Sequence, residues 1–229
     1  MTKKIDPSLI PPSPNLSFEI AFWQANIRKI AGIDEAGRGA LAGPVAAAAV
    51  ILPPDPKVKQ KLSGVDDSKR MSPAQRERWR ICIQAEALAW GVGFSSPAEI
   101  DTYGIVPATR FAAQRALDKL HLSPDHLLLD YLQLPNNATP QTWLVKGDAR
   151  SLSIAAASVL AKTVRDEHLR ELDKKYPGYG LASHKGYGTK AHFTAIAELG
   201  PSPIHRMTFA PMRLMLERSS VENTRGKAI

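Results

Sequence analysis

RKIAGIDEAGRGALAGPVAAAAVIL, residues 28–52, is the stretch from which the fold is read. RKIAGID (28–34) and GPVAAAAVIL (43–52) are short apolar runs bounded by turn residues, the pattern of strands. The AGRGALAG between them (36–43) is a Gly-rich turn, and strands joined this closely are expected to pair as a hairpin. Asp34 and Glu35 fall where the first strand runs into that turn.

Upstream, residues 1–27 form an N-terminal extension in which Pro7, Pro11, Pro12 and Pro14 forbid a regular helix. A loose arm and then a short helix over 18–26 are expected. Downstream, residues 53–67 read as a polar loop rich in lysine. Ser72 and Pro73 supply an N-cap and a first-turn proline for a helix running to about residue 89. WGVGFSS (90–96) is a third strand, and 107–120 a second helix. HLLLDYL (126–132) and TWLVKGD (142–148) are the fourth and fifth strands, each ending in or near an aspartate.

The longest helical pattern covers 153–176, where Ile154, Ala157, Ala161, Val164, His168 and Leu172 recur every three or four residues. Its first half, nearly free of charge, is expected to be buried. Shorter helices are expected at 189–199 and 211–218, and a flexible tail at 217–229. Strands first paired and then interleaved with helices predict an α/β fold with a mixed central sheet covered by helices.

The 229 residues are 44% hydrophobic and 23% charged, ordinary globular composition. No apolar run is long enough to cross a bilayer, and the two N-terminal lysines precede no apolar block. A cytoplasmic protein without membrane contact is expected. The single cysteine, Cys82, excludes a disulfide framework and reads as packing. A net charge of +8 favours polyanionic partners without identifying them. No histidine spacing suits zinc, and there is no G-x-S-x-G or Walker sequence.

Asp34, Glu35, Asp130 and Asp148 all lie at or near strand ends and could converge on one edge of the sheet. Neighbours in a strand point to opposite faces, but alternation can relax before Gly37 and Gly39. Like charges packed together need a cation, and magnesium prefers an all-oxygen site. Each aspartate taken singly is equally well a turn or cap residue. Asp166, with Lys162 and Arg170 four residues to either side, has the spacing of a surface ion-pair row and reads as structural.

GIDEAGRGALAGPVAAAAV (32–50), DDSKRMSP (66–73), LLDYL (128–132), VKGDARSLSIAAASVLAKTVRDEHL (145–169), HKGYGT (184–189) and IHRMTFAP (204–211) occur in this order. The series closely resembles the motifs of bacterial type 2 ribonuclease H, ribonuclease HII, from about Lys29 to Arg213. The resemblance implies a ribonuclease H-like fold with a helical C-terminal portion, in a catalytic domain of residues 28–216. It implies an endonuclease that hydrolyses the RNA strand of RNA–DNA hybrids and cuts 5′ of single ribonucleotides embedded in duplex DNA, using two Mg²⁺ or Mn²⁺ ions. A monomer is expected.

By the same resemblance, Asp34 bridges both metals, Glu35 and Asp130 hold one side, and Asp148 the other. Gly37, Arg38 and Gly39 contact the strand around the scissile phosphate through their backbone, where glycine permits close approach. Tyr187 stacks near the ribose at the RNA–DNA junction. Lys69 is a candidate phosphate contact, with Lys146, Lys162, Lys185 and Arg206 behind it. One departure is Tyr131, where the family usually has glycine; a stiffer backbone beside Asp130 is expected. A type 3 ribonuclease H is the nearest rival, disfavoured by the short N-terminal extension and by aspartate rather than glutamate at 148. A non-catalytic hybrid-binding protein is the rival of a different class.

Overall fold

β1 (Ile30–Ala36) and β2 (Val45–Ile51) form the expected antiparallel hairpin in the computed structural model, which describes residues 5–214. β3 (Ala89–Ser95) pairs antiparallel with the outer side of β2. β4 (His126–Asp130) runs parallel to β1, and β5 (Gln141–Leu144) parallel to β4. The resulting five-stranded sheet has the order β3-β2-β1-β4-β5 and is mixed, as expected.

Helices cover both faces. α1 (Ser17–Gln24), the short α2 (Val58–Lys61), α3 (Pro73–Glu86) and the long α6 (Leu152–Lys175) lie on one side. α4 (Pro97–Tyr103) and α5 (Ile105–Leu117) lie on the other. The alanine run of β2 shows why: Ala48 and Val50 pack toward α6, while Ala47 and Ala49 pack toward α5. A strand buried on both faces has no reason to alternate with polar residues. Small side chains also set the spacing of the layers. A Cβ on Gly32 would lie 2.2 Å from the backbone carbon of Ser153, so α6 rests directly on β1.

The caps follow local chemistry. Ser72 and Gln75 form a capping box at α3, as do Ser96 and Glu99 at α4. α4 was not expected from the sequence, although Ser96-Pro97 repeats the Ser72-Pro73 start. The N-terminal segment holds a 3₁₀ turn at Pro7–Leu9 and then the expected short helix, α1. Its prolines end at Pro14, and beyond them Phe18, Phe22 and Trp23 pack against Ile30, Leu128 and Ile154. Glu19, buried, accepts hydrogen bonds from Ser151 Oγ (2.6 Å), Ser153 Oγ (2.7 Å) and Ser153 N (2.9 Å) at the N-terminus of α6.

After α6 the chain forms α7 (Leu181–His184) and α8 (Lys190–Leu199). Leu181, Ile196 and Met212 join Leu41, Ala42 and Leu169 in a separate apolar cluster. The helical C-terminal portion is thereby fastened to the β1–β2 turn. A last helical turn occupies 210–214; the rest of the helix expected at 211–218, and the tail, lie outside the described residues. Among the described residues, no helix is long and apolar enough to cross a membrane.

Candidate functional site

The parallel pairing of β1 with β4 places Asp34 and Asp130 at the same end of the sheet. A 3₁₀ turn at Gly147–Ala149 brings Asp148 to them. One carboxylate oxygen from each of the three lies within 4.8 Å of the others. Asp148 is therefore not at a strand end: β5 stops at Leu144, and Lys146 takes the left-handed conformation that turns the chain back. Gly147 N donates to Asp130 Oδ1 at 2.7 Å, locking the two turns together.

Glu35 stands beside this group. β1 runs on through Ala36, and Asp34 and Glu35 at its end border the same groove. Asp34 shares a face with Gly32 and Ala36, against α6. Glu35 Oε1 instead accepts from Arg38 Nη1 at 3.0 Å, and its Oε2 is buried with no hydrogen-bond partner.

Burial, and then the charges of Glu35, Asp130 and Asp148, push Asp34 well above the usual carboxylate range. Burial and then Asp148 raise Asp130 to about 7. Glu35 is also raised, by burial, against the opposing pull of Arg38. Such a group is electrostatically strained until a cation joins it. Besides Arg38 on Glu35, the chain supplies Lys69, its Nζ 3.0 Å from Asp148 Oδ2. Lys69→Ala is therefore expected to lower the melting temperature in chelator and to leave it unchanged in excess Mg²⁺. Equal losses in both conditions would remove Lys69 from the charge balance of the cluster.

Asp34, Glu35 and Asp130 border a groove of about 700 Å³, lined also by Gly37, Arg38, Gly39, Lys69, Lys162 and Tyr187. Two buried arginines build its wall. Arg165 of α6 donates to the carbonyls of Pro44 (2.9 Å), Lys185 (3.1 Å) and Ala42 (3.3 Å). Arg206 donates to Gly43 O through Nε and Nη2 (3.0 and 2.9 Å) and to Arg38 O through Nη1 (2.9 Å). Gly37, at φ 90°, is open to no other residue, because a Cβ would sit 1.9 Å from Arg165 Nε.

Tyr187 lies on the same framework. Its ring is 5.7 Å from the Arg165 guanidinium and 5.8 Å from Lys162 Nζ. Its carbonyl lies 3.0 Å from His192 Nδ1, and His192 Nε2 lies 3.2 Å from His205 Nε2. Ser202 N donates to His205 Nδ1, which orients a neutral chain of imidazoles toward Tyr187. Burial pushes His192 down to about 4.

At the site the structure also revises two expectations from the sequence, for Asp166 and Arg206, and gives Tyr131 its conformation. Asp166 is structural but no surface residue: it is buried, paired to Lys162 Nζ (2.7 Å) and to Arg76 Nη2 of α3 (3.1 Å). Arg206 is fully buried on carbonyls and so is no phosphate contact. Tyr131 takes the left-handed backbone itself, at φ 50°, which accounts for the glycine usual there. Arg165, Glu19 and the hydroxyl pair Ser68–Ser158 (2.8 Å) were not singled out by the sequence. The RD pair drew attention to Asp166, while its arginine holds the wall.

The family model of Ribonuclease HII matches residues 31–212. Ribonuclease HII of Geobacillus kaustophilus is 52% identical over 204 residues, covering 89% of this chain and 76% of that protein. Ribonuclease HII of a Synechococcus species is 52% identical over 202 residues, covering 87% and 90%. Among solved structures, ribonuclease H2 from Pyrococcus horikoshii superposes with a TM-score of 0.69 at 27% identity, covering 83% of this chain and 98% of that one. The ribonuclease H-like fold expected from the motifs is thereby established, and the chain belongs to the ribonuclease HII family.

Proposed function

We propose that this chain, a metal-dependent ribonuclease acting on RNA–DNA hybrids, also cuts 5′ of single ribonucleotides embedded in duplex DNA, through a two-metal site on Asp34, Glu35, Asp130 and Asp148. The observation that carries this reading is the group of buried Asp34 and Asp148 with half-buried Asp130, ligand atoms within 4.8 Å, and Glu35 Oε2 buried and unpartnered beside it. An all-carboxylate donor set of this kind fits Mg²⁺ or Mn²⁺. In the arrangement proposed, Asp34, Glu35, Asp130 and Asp148 would together hold the ions. When bound, such ions supply charge neutralisation at the phosphate and a nucleophilic water at neutral pH.

The protein's own groups bind and orient. The Gly37–Gly39 backbone lets the strand come close, with Arg38 held on Glu35 at the groove's edge. Lys69, exposed beside Asp148, would meet the substrate phosphate. Tyr187, fixed from behind by Arg165, meets the sugar where RNA and DNA join, the point at which a 2′-hydroxyl must be sensed. The catalytic unit in this reading is residues 28–216.

No histidine lines the groove among the described residues. In the proposed reaction water, and not the 2′-hydroxyl, attacks the phosphorus, so the 2′-hydroxyl survives. Products are expected to carry a 3′-hydroxyl and a 5′-phosphate. End-group analysis of a duplex containing one ribonucleotide tests this: a cyclic phosphate, or an intact strand in Mg²⁺, defeats the proposal.

A further inference from the structure

Tyr131 directly follows Asp130 and holds a conformation rarely adopted by a bulky residue. Its backbone N–H donates to Leu144 O at 3.0 Å, and its ring meets Trp143 edge-on, with centroids 6.0 Å apart. Both rings remain exposed, at 46% for Tyr131 and 39% for Trp143. Uncommon backbone of this kind persists where neighbouring structure holds it, and it clusters at functional sites.

The two rings border a hollow of about 320 Å³, together with Arg38, Val106, Arg110 and Gln133. Arg110 projects from α5, its Nε donating to Gln133 O at 2.9 Å, so the guanidinium is oriented rather than free to wander. No carboxylate lines the hollow among the described residues. Arg38 belongs to both this hollow and the carboxylate groove, making the two surfaces continuous.

We infer that the hollow is a second contact for the substrate, taking the sugar–phosphate of a nucleotide that flanks the cleaved bond. The inference rests on the nuclease reading above and extends its substrate path beyond the catalytic groove. Tyr131 and Trp143 pack on the sugar, while Arg38 and Arg110 meet the adjoining phosphates. Three features select nucleic acid over a protein or a small apolar ligand. Arg38 and Arg110 line the hollow with no carboxylate among the described residues, exposed aromatic groups share its lining, and Arg38 joins it to the groove that Asp130 borders. Aromatic faces interleaved with arginine are the usual equipment for gripping a strand.

The test measures affinity of the full chain for an RNA–DNA hybrid across a salt series, in chelator so that the duplex stays whole. Tyr131→Gly places the residue at home at φ 50°, so the melting temperature should hold or rise. Its hybrid affinity should nevertheless fall roughly tenfold, with the salt slope unchanged. Arg110→Ala should flatten the slope of log K against log salt by about 0.9, the loss of one phosphate contact. Wild-type affinity in Tyr131→Gly, or a wild-type slope in Arg110→Ala, overturns the inference. A wild-type chain that binds the hybrid but does not cut it in Mg²⁺ defeats the proposed nuclease, while weakened binding in both variants still upholds this contact.

Discussion

Asp130→Asn is expected to abolish cleavage of hybrids and, without divalent metal, to make the protein more stable. Asparagine keeps the shape of the side chain, and its Oδ1 can still accept from Gly147 N. It removes one ligand charge, so turnover should drop on the order of a thousandfold or more. The stability gain follows from Asp130 being raised to about 7 in the fold, by burial and then by Asp148. The unfolded chain releases this proton near pH 4, the folded chain only near 7. Between these values the folded state binds more protons, so stability falls as pH rises through the window.

The asparagine variant escapes this loss and should melt a few degrees higher than wild type at pH 8 in chelator, from roughly 1–2 kcal/mol. At pH 4 the two should melt together. Added Mg²⁺ should then stabilise the wild type by mass action and the variant far less. Thermal melts at the two pH values, with and without metal, provide the check. A variant that is less stable than wild type in chelator at pH 8 would show that the carboxylates do not repel one another in the fold.

Arg165→Ala should be among the most destabilising single changes in the molecule. It removes donors from three carbonyls, those of Pro44, Lys185 and Ala42, around a fully buried side chain. Each stranded carbonyl costs about 1–3 kcal/mol, and partial relaxation brings the sum to roughly 3–5 kcal/mol. At this chain length that is about a 10 °C fall in melting temperature. Arg165→Lys keeps the charge and can reach one carbonyl at a time, so it should fall between the two. Activity should suffer as well at temperatures where the variant is folded, because Tyr187 loses the cation beneath its ring. A change of less than 2 °C would mean that the turn is held by its own backbone and not by the arginine.

What the sequence disclosed, and what it hid, follow from how far each interaction reaches. The hairpin at 28–52 and the helices after Ser72 and Ser151 depend on neighbouring residues, and they stand where expected. Asp34 and Asp130 were legible as strand-end acids, and their meeting follows from the β1–β4 pairing. Asp148 was found through its motif, but its 3₁₀ turn depends on a left-handed Lys146 that no propensity indicates. Arg165 went unnoticed and Arg206 read as a phosphate contact because neither the local pattern nor the charge of a residue reveals its partners. Their burial is decided by carbonyls of a turn more than a hundred residues earlier in the chain. Glu19 was hidden for the same reason, since its partners Ser151 and Ser153 lie at the far end of the sequence.

The three clustered aspartates come from the first strand, the fourth strand and the turn after the fifth. No local stretch of chain contains two of them. Closing so long a loop costs entropy before any contact repays it, so the cluster belongs to the late stage of folding. During synthesis the chain grows from its N-terminus, and Asp148 emerges only after most of the sheet has been made. A nascent or half-folded molecule therefore has no cutting site at all. The carboxylate group is thus a product of the finished sheet and of no single segment of the chain.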